Sequence, residues 1–141
     1  MQTLTLTVAN EIVVRAFEHS AALGYRPMAV VVVDNGGHIV SAQRQDGATM
    51  FRVDVARGKA WAAVAMGVRS RDLVQRAKDQ PQFFTALAAV GEGKFVPQTG
   101  GVLIKDSGGR VLGAAGASGG TGDEDEAILI HAIEVAGLVA G

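Results

Sequence analysis

The chain has 141 residues, 48% of them hydrophobic and 19% charged, with a formal net charge of −1 and no cysteine. That length holds about one domain with one sizeable core, and the composition excludes a disordered segment. Near-neutral charge excludes a general attraction to nucleic acid, and the absence of cysteine excludes disulfides, iron–sulfur clusters and thiolate-ligated zinc or haem.

Glu11, Arg15, Asp34 and Arg44 interrupt every apolar run before it reaches about 18 residues, so no membrane partner is expected. Met1 to Ala9 lacks the basic residues and apolar core of a secretory signal, and a cytoplasmic location is the expectation. The chain carries 19 glycines, much alanine and only 5% aromatics, which makes a thin core per element. Burial against a sister subunit compensates for such a core, so a homo-oligomer is expected.

In chain order, Thr7 to Leu23 reads as a helix with Thr7 as its cap and Gly24 as its stop. Ile12, Ala16, His19 and Leu23 share one face by helical spacing. Met28 to Gln43 reads as a hairpin turning at Asp34-Asn35-Gly36-Gly37. A second hairpin, Gly101 to Ala117, turns at Asp106-Ser107-Gly108-Gly109, so two similar ribbons of one antiparallel sheet are expected. Between them, Val53 to Met66, Arg71 to about Ala77, and Pro81 to about Ala89 read as helices. Gly91 to Gly101 reads as a loop with a short strand near Phe95-Val96, and Gly116 to Gly122 as a turn. The last helix is expected from Asp123 to Val139, with Ile128, Ala132, Val135 and Val139 as its buried stripe. No linker interrupts the series, so residues 1–141 read as one α/β domain.

Several residue sets carry chemistry. Gly116-Ala117-Ser118-Gly119-Gly120 fits the G-x-S-x-G elbow, but its sheet is antiparallel and His131 lies about two turns into the next helix, so hydrolase chemistry is rejected. The acidic run Asp123-Glu124-Asp125-Glu126 suits a helix start, with weak cation binding as the alternative. His38 follows a turn and reads as exposed, and His131 sits at the edge of its helix's apolar stripe. His19, inside an apolar face, is either a buried or interfacial histidine or the axial ligand of a haem. Arg44, Asp46 and Lys59 border small residues and suit the carboxylates of a small acid or of haem, unless they form ordinary ion pairs.

The succession Val32-Val33-Asp34-x-Gly36-Gly37-x-Ile39-Val40, Arg44-x-Asp46-Gly47-Ala48 and Ala56-Arg57-Gly58-Lys59-Ala60 resembles the GlcG/HbpS-like, or haem-degrading, family. Gly100-Gly101 and Gly113-Ala114-Ala115-Gly116-Ala117-Ser118-Gly119 extend the resemblance over nearly the whole chain. It implies a profilin-like α/β fold with a roughly five-stranded antiparallel sheet flanked by helices, and dimers, tetramers or octamers. It also implies haem binding in some members, with a first-helix histidine that His19 matches, and accessory roles in glycolate or propanediol metabolism in others.

Two readings follow. In one, the protein binds haem or another small carboxylated ligand, with His19 on the metal and Arg44, Lys59, Gly101 and Ser118 around the ligand. In the other, it is a catabolic enzyme, an isomerase or an imine or enamine hydrolase. There Lys59, Asp46 or Asp125 moves protons, Arg44 holds a substrate carboxylate, and backbone N–H groups of Gly101 or Ser118 stabilise developing charge.

Overall fold

The computed structural model describes residues 2–141. Its first helix, α1 (Leu6–Ala22), is capped by Thr5, whose hydroxyl accepts from the Val8 N–H at 3.2 Å. The cap lies two residues before the expected Thr7, because a cap needs extended backbone and Thr7 is already helical.

Both hairpins form as read. Strands β1 (Ala29–Asp34) and β2 (Ile39–Arg44) meet at a turn in which Asp34 Oδ1 accepts from the N–H groups of Gly36 and His38. Asp106 Oδ1 does the same for Gly108 and Arg110 between β3 (Gly101–Lys105) and β4 (Val111–Ser118). In each turn the second glycine takes the left-handed conformation, Gly37 at φ +81° and Gly109 at φ +86°. The two ribbons join through β1 and β4 in one antiparallel sheet of order β2-β1-β4-β3-β5.

Further segments depart from expectation. The segment around Phe95-Val96 is not a strand; the Val96 N–H donates to Gly58 O and so pins the chain to a helix instead of a sheet edge. The expected turn at Gly116 begins later, since β4 keeps pairing with β1 as far as Ala29 opposite Ser118. The last helix, α5 (Gly122–Val135), stops four residues before Val139. Gly137, at φ +86°, reverses the chain, and Val139–Ala140 becomes the short fifth strand β5 against Ile104 and Lys105. Val135 and Val139 are therefore half-exposed, and the buried stripe is Ile128, Leu129, Ala132 and Ile133.

Alternation along the strands gives the sheet two buried faces. Val30, Val32, Val102, Ile104, Ala115 and Ala117 pack under α1 and α5. Ala29, Val31, Val33, Leu103 and Ala114 pack under α2 (Phe51–Met66), through Ala56, Ala60 and Ala63. Beyond α2, the helices α3 (Arg71–Asp79) and α4 (Pro81–Val90) close a smaller cluster around Leu73, Phe84 and Phe95.

Candidate functional site

Close approach between α2 and the sheet creates the site. A Cβ at Gly116 of β4 would lie 1.9 Å from Ala56 O, and one at Gly101 of β3 would lie 2.3 Å from Lys59 O. Only glycine at both places lets the helix backbone sit this low. Lys59 then extends past the sheet, where its Nζ donates to Ala117 O at 3.1 Å and to Asp125 Oδ2 at 3.1 Å. Asp125 comes from the first turn of α5, and its other oxygen accepts from the Gly120 N–H at 3.0 Å. Both partners are buried, with side-chain exposures of 8% and 1%.

This ion pair lies in a cleft of about 470 Å³, with Arg52, Ser118, Gln98 and Thr99 as further polar walls and Val55, Val74 and Val96 as apolar ones. Arg52, two residues into α2, donates to Ser118 Oγ at 3.4 Å. Burial pushes the Asp125 carboxyl above its ordinary range, while the Lys59 ammonium, the Gly120 N–H and the charge of Arg52 pull the other way.

The four acids at the start of α5 are individually assigned. Glu124 completes a capping box with Thr121, Asp125 pairs with Lys59, and Asp123 and Glu126 both pair with Arg71. Among the described residues no cluster of three or more acidic, histidine or cysteine side chains is arranged to hold a metal ion.

The structure divides the residues singled out in the sequence. Lys59, Asp125 and Ser118 share the cleft, whereas Arg44 and Asp46 do not. Those two line a separate, open hollow of about 520 Å³ with Phe17, Ser20, Tyr25 and Pro27, because β2 is an edge strand whose end runs toward α1. Gly101 borders Lys59, but its N–H donates to Ser70 Oγ at 2.7 Å and is not open to a ligand. Arg52 is the residue that sequence reasoning missed; its spacing of seven from Lys59 on the same helix was the available signal.

His19 lies elsewhere, on the outer side of α1. Ile12 and Ala16 of its face are buried, but His19 is only partly so and Leu23 is half-exposed. Its imidazole stacks on that of His131 from α5, with centroids 3.8 Å apart and planes 10° from parallel. Partial burial, and then the charge of His131, lower its pKa below the ordinary 6.5.

This arrangement can be set beside known proteins. The sequence model described as haem degrading protein HbpS-like matches residues 4–134. The chain belongs to that family. Its fold, an α/β structure with a five-stranded antiparallel sheet, is that of HbpS-like structures. The crystal structure of a PduOC:heme complex superposes with a TM-score of 0.84 at 28% identity, covering 97% of each chain. A double mutant of Streptomyces reticuli HbpS superposes at 0.82 with 27% identity, over 96% of this chain and 88% of that one. An uncharacterized 15.0 kDa protein in the dhaT-dhaS intergenic region of Citrobacter freundii is 27% identical over 132 residues, 94% of this chain and 91% of the relative. Among the described residues no helix is long and apolar enough to cross a membrane.

Proposed function

We propose that this HbpS-like chain is a homo-oligomeric binder of small ligands, and that its ligand is haem or a planar acid of similar shape. The carrying observation is the stacked pair of His19 and His131 on the outer surface formed by α1 and α5. Face-to-face stacking leaves the edges of both rings, where the nitrogens lie, directed away from the stack. Partial burial, and then the charge of His131, favour the neutral form of His19, and neutral imidazole is the form that ligates iron. Leu23 and Val135, one helical turn beyond each histidine, are half-exposed and offer the apolar flank that a porphyrin face requires. Arg15, one turn before His19 and exposed, is a cation on the same helix that could take a carboxylate in exchange for Glu18 at 3.4 Å and Glu11 at 3.9 Å. The residues thus fit the group: haem, when bound, would supply the iron chemistry, and His19 would hold it, with Leu23 and Val135 as an apolar flank and Arg15 as a cation. The haem complex among its structural relatives supports the same reading.

Hemin titration followed at the Soret band tests it. The wild type should bind saturably, and His19→Ala should bind at least about tenfold more weakly, the equivalent of about 1.4 kcal/mol. Added imidazole should partly restore the spectrum by standing in for the deleted side chain. His131→Ala should have a smaller effect, since that ring orients His19. Unchanged saturable binding in His19→Ala would remove the axial-ligand assignment. Light scattering on the same samples should give a multiple of the 14.5 kDa chain mass, and a monomer throughout the micromolar range would overturn the oligomer.

A further inference from the structure

The cleft beside Lys59 holds more polar chemistry than the fold requires. Lys59 Nζ carries three hydrogens, and two of them go to Ala117 O and Asp125 Oδ2. The third remains for a guest in the cleft that Lys59 lines. A buried ion pair of this kind contributes little net stability compared with apolar residues of the same volume. Arg52 is a second, independent feature. It is half-buried at the wall of the same cleft, and among the described residues it forms no ion pair; its contact is the Ser118 hydroxyl. A cation of the wall that no ion pair claims matches one carboxylate. A phosphate dianion fits poorly, because Asp123 and Asp125 also line the walls.

An amine beside a carboxylate that can take and return its proton, in a low-dielectric setting, is the equipment for condensation with a carbonyl group. We propose that the cleft takes a small 2-oxo acid, holds its carboxylate at Arg52 and Ser118, and joins its carbonyl carbon to Lys59 Nζ as an imine. Val55, Val74 and Val96 form the wall for a short alkyl chain. This site is separate from the histidine pair and does not depend on the haem reading.

The step balances without an oxidant or reductant. Lys59 passes a proton to Asp125 Oδ2, and the freed lone pair attacks the carbonyl carbon, forming the C–N bond as the π pair moves to oxygen. That oxygen takes a proton from the nitrogen, giving a neutral carbinolamine. Asp125 then returns its proton to the hydroxyl, water leaves, and the nitrogen lone pair closes the C=N bond. The net change is ammonium plus ketone to iminium plus water, with Asp125 ionised at the start and the end.

Reductive trapping tests the proposal on the intact protein. Pyruvate or glyoxylate is added with cyanoborohydride, and the labelled lysine is located by peptide mass. Labelling should concentrate at Lys59, well above Lys78, Lys94 and Lys105 in the same sample. Arg52→Met should reduce it about tenfold or more, while circular dichroism shows the fold retained. Lys59→Arg, which keeps the charge but cannot form the imine, should show none at that position. Labelling at Lys59 no greater than at the other three lysines would overturn the proposal. So would undiminished labelling of Lys59 in Arg52→Met. Because the other lysines and the Arg52 variant serve as controls, the result stands even if Lys59→Arg folds poorly.

Discussion

The two faces of the sheet are covered by different materials. Under α1 and α5 the contacts are made by Ile12, Val13, Ile128, Leu129 and Ile133, all fully buried. Under α2 they are made by Ala56, Ala60 and Ala63, with glycine on the strands beneath. Each fully buried Ile or Leu contributes roughly 1.5–3 kcal/mol of apolar transfer, so the first face holds most of the hydrophobic stabilisation. The second face contributes little area per residue but brings two backbones close together. That proximity lets Lys59 reach Ala117 O and Asp125 from a helix on the opposite side of the sheet from α5. One face is built for stability and the other for position.

The largest effect should come from violating the close approach. Gly116→Ala would place its methyl 1.9 Å from Ala56 O and 2.9 Å from Ala60 N, both backbone atoms that no side-chain rotation can move aside. The helix must then lift. Overpacking in a core costs about 1–3 kcal/mol when side chains can adjust, and a backbone clash belongs in the tail beyond about 4 kcal/mol. Urea denaturation at fixed protein concentration reads the loss. A cost under about 1 kcal/mol would show that α2 tolerates displacement, which removes the contrast between the faces.

Next in size is the opposite kind of damage on the opposite face. Ile128→Ala deletes a fully buried side chain from the α1–α5 layer and leaves a cavity. The expected cost is about 2–5 kcal/mol by the same measurement. Labelling at Lys59 should survive in the folded fraction, since no part of the cleft is touched. Loss of labelling from folded Ile128→Ala would mean that the stability face also sets the position of the site.

How much of this was legible follows the range of each signal. The two hairpins depend on local turn chemistry at Asp34 and Asp106, and both were read with nearly correct ends. The end of α5 is masked because the apolar spacing runs on through Val135 and Val139, although Gly137 supplies the stop. Residue chemistry marks Lys59 and Asp125 separately as proton carriers, but their pairing joins residues 66 apart in sequence. No periodicity shows such a contact. Arg44 and Asp46 were grouped with Lys59 because they are near it in the chain, yet an edge strand carries them to a different hollow. His19 was placed on an apolar face by spacing alone, and the ring of His131 that stacks on it comes from the far end of the chain.

The smallest effect compares the caps of the two helices that share the apolar face. Thr121 accepts from the Glu124 N–H at 3.2 Å, and Glu124 Oε1 accepts in return from the Thr121 N–H at 2.9 Å. Thr5 makes the first bond only, to Val8, and has no acid at the position that would return it. Truncating a threonine cap costs about 0.5–2 kcal/mol. Thr121→Ala should therefore cost about 1 kcal/mol, because it leaves Glu124 without its reciprocal partner, and Thr5→Ala should fall nearer 0.5 kcal/mol. The Thr121 cap also fixes the turn that carries Asp125, so its loss should lower the yield of labelling at Lys59, while Thr5→Ala should leave that yield unchanged. Equal costs for the two variants, with equal labelling, would mean that the start of α5 is held by the Lys59–Asp125 and Arg71–Glu126 pairs and not by its cap.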